Sequence, residues 1–138
     1  MKTLSVQEPW AWAIVHGHKG VENRKWRTRY RGPLLIHAPA KIDPAGRELL
    51  AAAGVAVPPD EELPRSAIVG RVDLVDCVPY PGPGLEQSLL SGDLLADPLA
   101  CGPFCWIVPA PRVLRDPIPA AGRLGLWDHP EPAETDYV

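Results

Sequence analysis

The chain has 138 residues, 46% of them hydrophobic and 22% charged, with a formal net charge of −3; this is the size and composition of one soluble globular domain. No run approaches the roughly 18 apolar residues of a membrane span and no secretory leader is evident, so a soluble, cytoplasmic protein without membrane contact is expected. The 18 prolines and 12 glycines exclude a helical bundle, because each proline removes a backbone donor and glycine weakens helix interiors.

Taken in chain order, residues 2–6 read as an opening strand. Pro9 suits the first turn of a helix, where a missing N–H costs nothing, and that helix runs over residues 9–16 to a left-handed cap at Gly17. The helix is apolar nearly all round, which predicts burial or a place beside a cleft. Residues 21–28 read as an extended strand with Glu22, Arg24 and Trp26 on one face. A turn at Arg31-Gly32-Pro33 leads into a buried strand at 34–38. A second helix is expected at 44–53, capped by Asp43 and Gly54. The clearest strand is 67–78, where Gly70 suggests a bulge or a close backbone approach. A Pro/Gly loop at 79–84 and a short helix at 85–90 follow. Residues 104–108 form a strand, the proline-interrupted 109–119 reads as an edge strand, and 124–127 closes the domain. The Pro- and acid-rich residues 129–138 read as a flexible acidic tail appended to a domain at 1–128. Five or six short strands with flanking helices, in a chain this rich in turns, predict an α+β fold built on a small, partly open β-barrel.

Charge is unevenly spread. Residues 1–46 carry eight Lys/Arg against three acids, and the rest carry six Arg against fourteen acids. Lys19, Arg24, Lys25, Arg27, Arg29 and Arg31 fall within thirteen residues, interleaved with Trp26 and Tyr30. Basic side chains track phosphates and aromatic faces stack on bases, so the mixture suits single-stranded nucleic acid; a solvated basic strand is the alternative. Lys19, Glu22 and Arg24 crowd three ionisable groups at the exit of an apolar helix. That arrangement can orient a lysine through a carboxylate and grip an anion with an arginine, or can simply be a structural ion pair. No metal or cofactor site is expected: the four histidines are scattered, the Cys101–Cys105 spacing is not that of a zinc knuckle, and no phosphate loop appears. Three cysteines are also too few for a secreted disulfide framework.

Three segments, Leu4-Ser-Val-Gln-Glu-Pro-Trp10, Gly17-x-Lys19-x-x-Glu22-x-Arg24 and Trp26 with Tyr30-Arg-Gly32, resemble the ASCH domain. The strand from Ile68 to Cys77 and Phe104-Cys-Trp-Ile107 extend the resemblance over roughly residues 3–128. It implies a PUA-like barrel whose relatives bind RNA or modified bases in a cleft beside the first helix. By position, it implies that Lys19, Glu22 and Arg24 belong to the cleft motif and that Pro9, Trp10 and Trp26 shape its wall. The basic run adds Lys25, Arg27, Tyr30 and Arg31 as contacts for RNA, single-stranded DNA or a nucleoside-like ligand. Glu8 stands where the coactivator branch tends to have glutamine, and a carboxylate there would repel phosphate. The resemblance also implies an enzymatic alternative, a hydrolase acting on RNA or an acetylated nucleoside, with Lys19 and Glu22 as acid and base. However, Glu22 occupies the position of the acetylcytidine-hydrolysing branch's threonine, so that scheme's hydroxyl nucleophile is absent. A protein-interaction module using the acidic second half is the third reading.

Overall fold

A computed structural model describes residues 1–80, 94 and 96–138. Its strands are β1 (Lys2–Ser5), β2 (Val21–Arg24), β3 (Gly32–Ala38), β4 (Ala67–Leu74), β5 (Asp76–Pro79), β6 (Phe104–Ile107), β7 (Arg112–Pro119) and β8 (Leu126–Asp128). The helices are α1 (Trp10–Val15) and α2 (Gly46–Ala52), with 3-10 turns at Asp60–Glu62 and Glu134–Asp136. Five strands pair in the order β7-β4-β3-β1-β8 and three in the order β2-β6-β5. The β1–β3 pair is parallel, so the chain must cross over between them, and that crossover is α1 followed by β2. The elements that carry the cleft motif are therefore fixed at both ends by one sheet.

The fold is α+β, but its eight strands form two sheets rather than a barrel of five or six, and no ladder among the described residues closes them. The reason lies at Val75. The expected strand 67–78 divides there: Leu74 still pairs within the larger sheet opposite Gly32, whereas Asp76 pairs with Ile107 of β6. The chain thus changes sheets through one exposed residue. One core unites the two sheets all the same, with Trp106 and Cys77 packed with Leu4, Ile14, Ile36 and Val72.

β2 is shorter than the expected 21–28. It ends at Arg24, opposite Phe104 of β6. Gly70 meets both expectations, a register irregularity between Ile68 and Gly70 and a close approach. A Cβ there would fall on the carbonyl oxygen of Arg112 and 2.8 Å from Val15 Cγ1, so glycine lets α1 lie directly on β4. Gly46 does the same for α2, where a Cβ would stand 2.5 Å from Pro9 Cδ. Gly17 and Gly54 both have positive φ, +81° and +83°, at the ends of α1 and α2, as the left-handed cap requires. Asp43 is not the cap expected of it: α2 starts at Gly46 with Ala45 at its N-cap, and Asp43 Oδ1 accepts the Ala45 N–H at 3.0 Å in the turn before the helix. The expected helix at 85–90 and most of the loop at 79–84 lie outside the described residues.

The acidic segment 129–138 is not a free tail. Tyr137 is buried with Leu35, Ile68, Leu114 and Trp127 on the outer face of the large sheet. The Val138 N–H donates to Val113 O at 2.8 Å, Arg112 pairs with Glu134 at 2.8 Å, and its guanidinium lies 4.3 Å from the Tyr137 ring centre. Composition predicted disorder because it counts acids and prolines; one buried aromatic with arginines around it outweighs them.

Candidate functional site: a cationic cleft with tryptophan walls

A cavity of about 960 Å³ opens between the two sheets beside α1. Of the ten residues expected at the site, Trp10, Lys19, Glu22, Arg24, Lys25 and Trp26 line it. Arg27 and Arg31 instead line a separate cavity, with Thr28 and Arg29. Pro9 and Tyr30 line neither. Pro9 is buried behind Trp10 against Gly46, and the Tyr30 hydroxyl donates to Pro33 O at 2.6 Å, bracing the turn rather than offering a stacking face.

The floor is an ion-pair network. Lys19 leaves the tight turn after α1 and its Nζ donates to Val21 O at 2.6 Å and Glu22 Oε1 at 3.1 Å. Arg24, two residues along the strand and so on the same face, reaches Glu22 Oε2 through Nε at 3.0 Å and Nη2 at 2.9 Å. Its Nη2 also donates to Ser5 O at 2.6 Å, tying the motif to β1. Lys19 and Glu22 are only 4% and 7% exposed. The sequence left open whether these charges are a partly exposed, ligand-facing set or a structural bridge; they are a buried bridge that also forms the cleft floor. Both oxygens of Glu22 already face cations, so the carboxylate acts as counter-ion and positioning group. With an ammonium carrying three N–H groups and a guanidinium five, one on Lys19 and the Nη1 pair on Arg24 remain for a ligand. The floor therefore presents donors to whatever enters.

The walls are apolar. Trp10 lies 5.3 Å from Lys19 Nζ, ring centre to ammonium, and its indole N–H donates to Asp43 Oδ2 at 2.8 Å, which fixes the plane of the ring. Trp26 stands edge-on to the buried Trp106 at 4.7 Å. Trp26, Leu49 and Leu124, three of the exposed large hydrophobic residues, all line this cleft, and Leu124 is 99% exposed.

Glu8 corrects an expectation. It does not face the cleft: it is fully buried, its Oε1 accepts the Trp12 N–H of α1 at 2.7 Å, and burial raises its pKa to about 7. A carboxylate so placed offers phosphate no repulsion at the cleft edge.

Two features went unread in the sequence. Asn23, between Glu22 and Arg24, donates to Leu99 O and accepts from the N–H groups of Cys101 and Gly102, each at 2.9 Å, pinning the segment that forms the far wall. An amide inside a strand, where asparagine is disfavoured, was the available signal. The other is Ser5, on the cleft surface, whose Oγ is 3.0 Å from His37 Nδ1. His37 Nε2 is 2.7 Å from Ala120 O. A carbonyl can only accept, so Nε2 carries a proton, which leaves Nδ1 as the ring atom toward Ser5. Their 32-residue separation hid this pair; parallel β1–β3 register sets Ser5 opposite His37. Burial pushes the Cys105 thiol up from its ordinary value, which disfavours a thiolate. Among the described residues no group of three His, Cys, Asp or Glu is gathered to hold a metal, and no helix is long and apolar enough to cross a membrane.

Fold and cleft together are those of a small α+β domain whose cleft has a cationic floor and apolar walls. The ASCH domain profile matches residues 4–90. Human activating signal cointegrator 1 is 33% identical over an alignment covering 90% of this chain and 21% of that protein. Its mouse counterpart is 39% identical over 54% of this chain and 14% of that protein. The chain thus spans about a fifth or less of the length of these relatives. Among solved structures, a crystal structure of a point variant of the ASCH protein from Zymomonas mobilis aligns with 86% of this chain and 74% of that one, at 18% identity and a TM-score of 0.49. The chain belongs to the ASCH domain family.

Proposed function

We propose that this domain is of the PUA-like type and binds single-stranded nucleic acid, RNA or DNA, by taking one splayed or modified base into the cleft. The observation that carries this reading is the pairing of a donor-bearing floor, Lys19 and Arg24 held by Glu22, with indole walls at Trp10 and Trp26. A nucleobase has two apolar faces for the walls and an edge of carbonyl and ring-nitrogen acceptors for the floor. Lys25 and Arg123 at the cavity rim supply positive charge where the strand would leave. Family membership supports the same reading, with RNA as the favoured partner.

The test is fluorescence anisotropy with a random-sequence RNA hexamer and its DNA equivalent. If about four phosphates are neutralised, log K falls against log salt with a slope near −3. Trp26→Ala removes a stacking face worth about 1–3 kcal/mol per base and weakens binding roughly 5- to 150-fold with little loss of stability. Salt-independent affinity, or unchanged binding by Trp26→Ala, refutes the reading.

One observation favours a second reading, hydrolysis at the same cleft. The hydroxyl missing at position 22 has a counterpart in Ser5, whose Oγ lies 3.0 Å from His37 Nδ1. Hydrolysis of acetylcytidine or RNA by the wild type that Ser5→Ala abolishes would establish it, with Lys19 and Arg24 as electrophilic donors.

A further inference from the structure

The basic run is continuous in sequence, yet it splits between two cavities at the Trp26–Arg27 peptide. Residues up to Trp26 face the 960 Å³ cleft. Arg27, Arg29 and Arg31 surround a second cavity of about 530 Å³, with Thr28, Cys77 and Pro79 completing its lining. β2 ends at Arg24, just before this division. Released from the ladder, the chain turns, and Thr28 Oγ1 accepts the Tyr30 N–H at 3.1 Å, while Arg31 Nη1 donates to Thr28 O at 3.0 Å and Tyr30 O at 2.9 Å. This arginine staples the turn shut.

The three guanidinium groups differ in what they already hold. Arg31 is engaged by those carbonyls and lies 3.6 Å from Asp76 Oδ1, which itself accepts the Cys77 N–H at 2.8 Å. Arg27 lies over the Phe104 ring at 5.7 Å and neither it nor Arg29 has an acidic partner among the described residues. Two exposed arginines lining one cavity with no acidic partner among the described residues offer an oxyanion two cations, and the planar fork of guanidinium matches a phosphate in a bidentate way.

We propose that this second cavity is a phosphodiester subsite, in which Arg27 and Arg29 grip a backbone phosphate next to the nucleotide held in the cleft while Arg31 positions the turn. This inference rests on the nucleic-acid reading of the cleft and deepens it. The ligand is then a strand of at least two nucleotides rather than a free nucleoside, because base and phosphate are received in different cavities. Consecutive residues, Trp26 and Arg27, line the two cavities, and in this proposal both lie within reach of one strand. The phosphate contact is blind to base identity and contributes affinity and salt dependence, whereas the cleft contributes selection.

Anisotropy with the random RNA hexamer, and calorimetry with cytidine, uridine, adenosine and guanosine, test this with two variants, Arg27→Glu/Arg29→Glu and Trp26→Ala. Melting curves of both must stay cooperative, and Arg27→Lys/Arg29→Lys serves as the charge-preserving control. The expected result is that the double charge reversal weakens the hexamer at least about tenfold and flattens the salt slope by about 1.4, for two lost contacts at roughly 0.7 each. Nucleosides bind weakly and equally to wild type and this variant, and the lysine control keeps the wild-type slope. An unchanged slope in the charge reversal overturns the subsite, and if Trp26→Ala still weakens the hexamer the cleft reading survives. Loss of hexamer binding on charge reversal with none on Trp26→Ala overturns the cleft reading, and with it the two-cavity strand. A wild type that binds no hexamer overturns both.

Discussion

Replacing Glu8 by glutamine should reverse part of the protein's pH dependence. The side chain is 0% exposed; one oxygen accepts the Trp12 N–H at 2.7 Å and the other has no partner. Desolvation dominates and raises the pKa from 4.5 to about 7, against smaller lowering by the Trp12 hydrogen bond and Arg65. A carboxyl whose folded pKa exceeds its unfolded value binds its proton more tightly when folded. Its contribution to stability is therefore complete below about pH 4.5, falls as pH rises, and is lost above about pH 7. A shift of about 2.5 units at 1.36 kcal/mol each amounts to about 3 kcal/mol. Glutamine keeps the shape and the acceptor for Trp12 but cannot ionise. Its unpaired amide costs about 1–3 kcal/mol, much as the orphan oxygen does in the wild type. Relative to wild type, Glu8→Gln should be equal or slightly less stable at pH 4.5 and more stable by about 2–3 kcal/mol at pH 8. Urea unfolding followed by tryptophan fluorescence at half-unit pH intervals measures the difference. If the wild-type minus variant free energy is the same at pH 4.5 and pH 8, Glu8 does not titrate in this range and the burial argument is wrong.

Glu22→Gln should cost about 3–5 kcal/mol, because it strands two buried or half-buried cations that now share one carboxylate; a melting temperature within a degree or two of wild type would instead mean that solvent reaches the network. Tyr137→Ala should lose about 3–5 kcal/mol through the cavity left on the outer face of the large sheet, without changing nucleic-acid affinity. An unaltered denaturation midpoint would return the 129–138 segment to the status of a tail.

Local chemistry made much of this molecule legible. Pro9 and Gly17 bracketed α1, Gly54 ended α2, and the alternation at 67–78 placed β4, because caps and periodicities act within a few residues of one another. Gly70 was readable for the same reason, although only the packing of Val15 and the Arg112 carbonyl says why the glycine is needed. The motif residues Lys19, Glu22 and Arg24 were also readable as a set, since spacing alone puts them at one helix exit and on one strand face. Tertiary structure decided the rest. Spacing carries no information on desolvation, so it could not tell that the triad is a buried bridge, or that Glu8 faces the helix rather than the cleft. How Arg27 and Arg31 come to line a different cavity from Trp26 depends on the turn around Thr28 and Tyr30 that follows the end of β2. Ser5 met His37, and Tyr137 its hydrophobic bed, only through the parallel register of β1 on β3 and the exposed outer face of the sheet. Those are consequences of which strands become neighbours, and neighbours distant in sequence are chosen by the whole chain's burial, not by any segment's own propensity.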